Sequence, residues 1–317
     1  MHERLVYIVA LLLFGTAWGA TVTLAQVAVS SGHSPIAITA WEVLYGAVLL
    51  ALVCAARRSW PPVSRRWVAI YVAIAVLGTL VPNSFSYLAA FHLPGGVIAL
   101  VIATAPMLTL LLAVAIRADR FTRANVAGLL LGLTGVALLV LPGEALPDPA
   151  KTVFVFVALV ACAAYAVETN MVARFVPPSA DPVAVLLGAF LAGLAIAVPL
   201  VLATGTGTLA HAPWNVARFA GPEWALVALA ALHVLAYGGY LWLVGASGPV
   251  FASQIGTVVT ASGVLLSVWF LQERPSPYVW ASLLAMLAGL ALVRPRRTNT
   301  LPANASTTPA AAAKVHS

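Results

Sequence analysis

Long apolar runs separated by short breaks constrain this chain more than any other feature of its sequence. Ten runs follow one another, and the breaks between them carry proline, glycine, arginine or aspartate. A helix needs about 20 mostly apolar residues to cross a bilayer. The sequence therefore predicts ten transmembrane helices, at Leu5–Val29, Pro35–Ala56, Trp67–Ala90, Gly95–Ile116, Ala124–Leu141, Val153–Val172, Pro182–Ala203, Trp224–Val244, Pro249–Leu271 and Tyr278–Val293.

The amino-acid composition also indicates that the solvent is lipid. Of the 317 residues, 62% are hydrophobic and only 8% are charged, whereas about a quarter of a soluble domain is charged. The predicted fold class is therefore an all-α integral membrane protein. The two cysteines, Cys54 and Cys162, lie in or at the end of apolar runs without metal-ligand spacing, so we interpret both as packing residues.

The basic residues predict how the chain is oriented. If the N-terminus is cytoplasmic and ten spans follow, 13 of the 16 lysines and arginines fall on the cytoplasmic side. This bias predicts that both termini are cytoplasmic. Basic loops that orient the spans also account for the net charge of +7, so nucleic-acid binding is not needed to explain it. Residues 294–317, basic at first and then rich in threonine, alanine and proline, are predicted to form a disordered cytoplasmic tail.

The second half of the chain repeats the pattern of the first. Residues 116–140 and 270–293 each end an apolar run, turn through an acid–arginine pair and enter a run rich in glycine, alanine and leucine. At an offset of 154 residues, Asp119 aligns with Glu273 and Gly135 aligns with Gly289. Spans rich in the same small residues could also resemble one another by composition alone.

A true repeat would consist of two five-helix units, residues 1–143 and 144–293. Because five is an odd number, the second unit would be inserted with the opposite orientation. Transporters built from such inverted repeats hold their substrate near the middle of the membrane, where the two units meet.

Several short segments resemble one family in their order and spacing. The pair Trp18-Gly19 lies in FGTAWGA, Pro106 lies in IATAPMLTLLL, and the turns RADRFT and LQERPS precede spans that end in GVALLV and GLALV. Over about residues 5–293 the chain resembles the EamA-type ten-helix transporters of the drug/metabolite transporter superfamily. The resemblance implies two five-helix repeats around a central cavity and export of small metabolites, commonly amino acids, by alternating access. The chain departs from the family pattern at Trp41-Glu42, where the second span often carries an arginine.

Two carboxylates lie inside the apolar runs, Glu42 and Glu168, and no lysine or arginine lies there to neutralise them. An ionisable side chain in a membrane span is costly and usually faces the bundle interior or a wet cavity. We expect either residue to carry protons or to be the counter-ion of a cationic substrate. The alternative is that one or both accept hydrogen bonds from hydroxyl groups and serve only packing.

Further candidates come from polar and aromatic residues within the spans. One stripe of a helix is formed by His233, Tyr237 and Tyr240. We expect this stripe to line the cavity, with His233 as a proton or substrate contact. The alternative is a helix–helix hydrogen bond with interfacial tyrosines. Pro82-Asn83 predicts a bendable third span. Together with the carboxylates, the candidate substrate or proton pathway is Glu168, Glu42, His233, Tyr237, Asn170, Trp18, Asn83, Gln254, Tyr240 and Trp41.

The motifs of other function classes do not occur in the sequence. It contains no P-loop, nucleophile elbow or zinc-protease helix motif, so we predict no enzyme activity, no cofactor and no metal site. The prediction is a secondary transporter in a bacterial inner membrane that exports amino-acid-like or amphipathic cationic or zwitterionic compounds, coupled to protons or not. The alternative is an uncoupled facilitator or channel. The expected partners are a small-molecule substrate, lipid and protons, without nucleic acid, and a monomer suffices.

Overall fold

A computed structural model describes residues 2–30, 32, 34–118, 120–142, 146, 148–177, 179–205, 221–247 and 255–292, with the backbone alone at 2–4, 241, 244, 245 and 247. Within these ranges the chain is helical and contains no strand. The helices are α1 His2–Val29, α2 Pro35–Arg57, α3 Arg65–Ala75, α4 Val81–Ala90, α5 Gly95–Ile102, α6 Ala105–Ala115, α7 Arg123–Val140, α8 Val153–Phe175, α9 Pro182–Thr204, α10 Gly221–Ser247, α11 Ile255–Phe270 and α12 Pro277–Leu292. A π-helical turn, Val76–Leu80, joins α3 to α4, and a short 3₁₀ helix, Pro149–Thr152, precedes α8.

The described part of the chain has eight helical segments that are long and apolar enough to cross a membrane. Two shorter apolar helices, α11 and α12, follow them. Large apolar side chains cover the outside of the bundle, and Leu133 and Leu284 are 65% and 69% exposed. Such an apolar exterior is expected of a protein whose solvent is lipid.

Local sequence signals begin several of these helices. Ser34, Ser64 and Thr122 each accept a hydrogen bond from a backbone N–H in the first turn of α2, α3 and α7. Asp181 does the same for α9, which has Pro182 in its first turn. These side chains satisfy N–H groups that would otherwise lack a partner inside the helix, so the polar breaks fix where the spans begin.

The third and fourth spans are interrupted near the two prolines that the sequence analysis singled out. Pro82 lies in the first turn of α4, directly after the π-helical turn. Pro106 lies in the first turn of α6, where a new helix begins after Thr104. Proline cannot donate a hydrogen bond to the preceding turn, so each interruption lies where the helical ladder is weakest.

Close helix contacts build the interior. α1 packs against α10 and α11, α2 against α9 and α10, and α4 against α8. At Gly19 of α1, an added Cβ atom would lie only 2.8 Å from the backbone oxygen of Val259. Glycine at this position therefore allows the backbones of α1 and α11 to approach, as in other small-residue helix contacts.

The two glycine-rich spans that the repeat aligned pack against each other. Ser282 of α12 donates a hydrogen bond of 2.9 Å to the backbone oxygen of Gly135 in α7. A Cβ atom at Gly289 of α12 would lie 2.9 Å from the backbone oxygen of Gly128. The ends of the two halves are thus joined through small residues.

Polar contacts at the two ends of the bundle also join the halves. At one end, Asp181 accepts a hydrogen bond of 2.6 Å from Ser59 and pairs with Arg57 at 3.3 Å. At the other end, the carboxylate of Glu273 accepts from the backbone N–H groups of Gly95 and Gly96, at 2.6 and 3.0 Å. A carboxylate at the start of α5 interacts favourably with the partial positive charge of a helix N-terminus.

Candidate functional site

Glu42 is buried in the middle of the bundle and is 2% exposed. Its Oε2 atom accepts hydrogen bonds from Nδ2 of Asn83 at 2.7 Å and from the hydroxyl of Tyr87 at 2.5 Å. Its Oε1 atom lies 2.9 Å from Nδ1 of His233, so a hydrogen bond joins the imidazole and the carboxyl group. We call Glu42, Asn83, Tyr87 and His233 the Glu42 cluster. Its bonds compensate for the cost of placing a charge in a low-dielectric interior.

Three helices bring the Glu42 cluster together. Glu42 lies on α2, which packs against both α4 and α10. Asn83 and Tyr87 are four residues apart on α4, so they lie on one face of that helix. His233 reaches the same carboxylate from α10, 191 residues further along the chain. The cluster therefore joins the first half of the chain to the second.

Tyr165 extends the cluster to a fourth helix. Its hydroxyl donates to Oδ1 of Asn83 at 3.1 Å, so the Asn83 side chain accepts from α8 and donates to Glu42. Neither Tyr87 nor Tyr165 was predicted from the sequence as part of the site. The spacing of Asn83 and Tyr87 could have identified the first, and Tyr165 lies one turn before Glu168.

Aromatic rings lie beside His233. The ring of Trp18 on α1 is centred 6.0 Å from the imidazole, 6.3 Å from the ring of Tyr237 and 6.2 Å from that of Tyr240. The predicted stripe of α10 therefore faces Trp18 and Glu42. Such rings offer apolar surface together with an electron-rich face that attracts cations.

Trp41 packs differently from its neighbour Glu42. Its ring stacks on Tyr45, one turn along α2, with the centroids 6.1 Å apart. Both rings pack against the largest group of buried apolar residues in the bundle. The structure thus places Trp41 beside Tyr45, against this apolar group.

Glu168 lies on α8 and is partly buried. Its nearest hydrogen-bond partner is the hydroxyl of the adjacent Thr169, at 3.5 Å from Oε2. Tyr165, one turn earlier on α8, donates to Asn83 of the Glu42 cluster. Glu168 and one contact of the cluster therefore lie on the same helix.

The π-helical turn of the third span makes room for Glu168. A Cβ atom on Gly78, in the middle of that turn, would lie 3.0 Å from Cγ and 3.3 Å from Cδ of Glu168. A π-helical turn inside an α-helix often marks a functional position. Here the π-helical turn contacts Glu168, and α4, which follows the turn, carries Asn83 and Tyr87, two partners of Glu42.

Asn170 has hydrogen-bond partners outside the Glu42 cluster. Asn170 donates to the backbone oxygens of Thr109, at 3.1 Å, and Ala166, at 2.9 Å, and so links α8 to α6. Gln254 lies outside the described residues. The described residues contain no group of three or more histidine, cysteine, aspartate or glutamate side chains that could hold a metal ion.

A separate groove of about 440 Å³ lies on α1 and α10. Its lining is entirely apolar, and it consists of Leu5, Val6, Val9, Ala10, Leu13, Phe14 and Trp242. A surface without polar groups provides little chemical specificity, and it matches the lipid that surrounds the bundle.

Comparison with known proteins assigns the family. The model of the EamA-like transporter family matches residues 5–141 and again residues 152–294. "Uncharacterized protein PA1977" of Pseudomonas aeruginosa is 29% identical over 262 residues, which cover 81% of this chain and 83% of that protein. A solved structure described as "Crystal structure of protein" shares the fold, with a TM-score of 0.59 and 20% identity over 89% of this chain and 95% of that one.

The two family matches cover most of the chain and coincide with its two halves. They confirm the resemblance in the sequence and the expectation of a two-repeat membrane transporter. The Glu42 cluster joins these two repeats, since Glu42, Asn83 and Tyr87 lie in the first match and His233 in the second. This chain belongs to the EamA-like transporter family.

Proposed function

We propose that this protein is a secondary transporter that exports small amino-acid-like or amphipathic cationic or zwitterionic compounds by alternating access. The observation that carries the proposal is the Glu42 cluster, a buried carboxylate whose partners come from both repeats. In alternating access the repeats move against each other around a fixed binding site. A side-chain cluster at the contact between the repeats is where binding can influence that movement.

The proposal includes an arrangement in the membrane. Residues 1–143 and 144–293 form two five-helix units of opposite orientation, with ten spans in total and both termini in the cytoplasm of a bacterial inner membrane. Residues 294–317 follow as a cytoplasmic tail. The contacts Ser59–Asp181 and Gly95–Glu273 support this arrangement, because each joins segments that it places on the same side.

Proton coupling is the finer part of the proposal, and Glu168 is its candidate residue. Its carboxylate has a single weak hydrogen-bond contact among the described residues, so its charged form receives little compensation for the apolar surroundings. A proton can therefore bind and leave with little rearrangement. The substrate binds at the Glu42 cluster, within one chain, so a monomer suffices.

The experiment is a flux assay in sealed liposomes that contain the purified protein. A pH gradient is imposed across the membrane, and a mixed pool of amino acids and amines is supplied. We expect proton movement that requires a particular solute, loss of solute flux in Glu42→Gln and loss of coupling in Glu168→Gln. Asp148→Asn is the matched control, because this carboxylate pairs with Lys151 in an exposed segment. Absence of any solute flux would contradict the proposal.

An uncoupled facilitator is the second candidate, and one observation favours it. Both oxygens of Glu42 have hydrogen-bond partners, so the cluster is a complete binding site that does not require a proton carrier. Solute flux that follows the solute gradient, without proton movement, would support the facilitator. It would also exclude Glu168 as a coupling residue.

A further inference from the structure

We propose that the Oε1 atom of Glu42 binds the ammonium group of the substrate, and that His233 occupies this position as an internal substitute when no substrate is bound. The inference rests on the proposed transport function and specifies its substrate class. The expected substrate is a monovalent organic cation, a primary amine with an apolar or aromatic remainder.

The two oxygens of Glu42 are held differently. Oε2 accepts two hydrogen bonds, from Asn83 and Tyr87, and both donors belong to the same repeat as Glu42. Oε1 is bonded to the other repeat, through His233. Asn83 and Tyr87 can therefore keep the carboxylate in place when the partner of Oε1 is exchanged.

His233 is the more accessible partner in its bond with Glu42. The side chain of His233 is 28% exposed, whereas that of Glu42 is 3% exposed. A ligand from outside the cluster can therefore reach His233 more readily than Glu42. Exchange at Oε1 thus requires displacement of the partly exposed imidazole and leaves the buried carboxylate in place.

An aromatic surface lies at the same point. The imidazole lies 6.0 Å from the ring of Trp18, which is about the distance at which a cation over an indole is stabilised. Tyr237 and Tyr240 lie next to the same indole, 6.3 and 6.2 Å from it. An ammonium group that replaces the imidazole would contact both a carboxylate and aromatic rings, and the rest of the molecule would lie against Trp18.

The charges around this position favour a cation over an anion. The titratable groups in the cluster and beside it are Glu42 from α2, Tyr87 from α4, Tyr165 from α8, and His233, Tyr237 and Tyr240 from α10. Trp18 from α1 carries no charge. The Glu42 carboxylate repels an anionic ligand, and the histidine is the one group in this set that can become positively charged.

The exchange would have a structural consequence. The bond between Glu42 and His233 connects α2 of the first repeat to α10 of the second. When a cation takes the place of the imidazole, this connection is lost, and the repeats are held together by fewer polar contacts. A ligand shifts a conformational equilibrium when it binds one state better than the other, and exchange of His233 provides such a difference.

The test measures binding of phenethylamine to the detergent-solubilised full chain by titration calorimetry near neutral pH. Phenethyl alcohol, which has a similar shape without the charge, is the matched ligand. We expect the amine to bind at least about tenfold more tightly than the alcohol. This comparison uses the unaltered protein, so it does not depend on the folding of a variant.

Two variants then separate the roles of the carboxylate and the histidine. Glu42→Gln should weaken amine binding by about tenfold or more, because the charge is removed. His233→Ala should strengthen amine binding by about threefold to tenfold, because the internal competitor is removed. Equal weakening in both variants, or equal binding of amine and alcohol, would overturn the inference.

The outcome also distinguishes this inference from the proposed function. If liposomes transport a neutral or anionic solute and phenethylamine neither binds nor competes, transport stands and the cation site is wrong. If phenethylamine binds as expected but no solute crosses the membrane, the site stands and the transport proposal fails. If neither ligand binds to the solubilised protein, the inference is wrong.

Discussion

Glu42 and Glu168 lie in the same membrane interior but differ in their hydrogen bonds. Glu42 has hydrogen-bond partners in Asn83, Tyr87 and His233 at 2.5–2.9 Å. Glu168 has a contact of 3.5 Å with the hydroxyl of its own neighbour, Thr169. Both residues are glutamates in apolar helices, and the sequence alone gave no reason to treat them differently.

The difference teaches how the same residue type can serve two purposes. A buried charge is tolerated when hydrogen bonds compensate for the loss of water. Glu42 has this compensation and is held in one orientation, as a binding residue requires. Glu168 has little of it, so its charge is costly, and it is the better candidate for a group that gains and loses a proton during transport.

The largest expected effect comes from removing each carboxylate in turn. Glu42→Ala leaves Asn83, Tyr87 and His233 without their shared acceptor, and should lower the free energy of unfolding by about 3–5 kcal/mol. Glu168→Ala removes a weakly bonded carboxylate and should change it by less than about 1 kcal/mol. Denaturant titrations of both variants in the same detergent measure the difference. Equal losses would contradict the comparison.

The second-largest loss of stability is expected at Tyr87 and Tyr165, which were not predicted from the sequence. Tyr87→Phe removes a hydrogen bond to a charged group and should cost about 1.5–3 kcal/mol. Tyr165→Phe removes a bond between neutral groups, to Asn83, and should cost about 1 kcal/mol. The pair is matched because each substitution deletes one hydroxyl. If Tyr165→Phe lowered the free energy of unfolding more than Tyr87→Phe, the hydrogen bond to Asn83 would contribute more to stability than the bond to Glu42.

A smaller effect is expected at the π-helical turn. Gly78→Ala brings a methyl group to 3.0 Å from Cγ of Glu168 and should cost about 1 kcal/mol, mainly by displacing that side chain. Because Glu168→Ala removes the atoms in conflict, the double variant should recover most of the loss. Gly256→Ala is the control, since an added Cβ there meets none of the described residues within 4 Å. Additive losses in the double variant would show that the turn is strained for another reason.

The smallest effect tests whether Glu168 has a true partner. Thr169→Val keeps the shape of the side chain and removes the hydroxyl at 3.5 Å. At this distance the hydrogen bond is near its limit, so we expect a change in stability below about 0.5 kcal/mol. The pH dependence of transport should also stay the same. A clear shift in either measurement would mean that Glu168 is better satisfied than its geometry indicates.

Much of the candidate site could be predicted from residue types alone. Glu42 and Glu168 stood out because a charge in an apolar span is rare and costly. His233, Tyr237 and Tyr240 stood out because helical spacing places them on one stripe, and the structure brings that stripe to Trp18. Asn170 was also selected by its polarity in a span, but its side chain bonds to backbone oxygens and links two helices.

The partners of Glu42 could not be predicted in the same way. Tyr87 and Tyr165 are two of eight tyrosines, and most of these lie in apolar runs. Which of them meets a carboxylate depends on how each helix is rotated about its axis. That rotation is set by close contacts such as Gly19 with the backbone of α11, between residues more than 200 positions apart in the chain.

The sequence by itself determined that this chain consists of apolar helices, that its pattern occurs twice and that two carboxylates lie inside. These properties follow from residue type and spacing. In lipid the backbone polar groups must be hydrogen-bonded within helices, and a charged residue inside a span is rare and easily recognised in the sequence. Only the tertiary structure decided that Glu42 is bonded across the repeats and that Glu168 lies against a π-helical turn at Gly78. Contacts between distant segments depend on how side chains of particular shapes pack together, and this information is not contained in any one stretch of sequence.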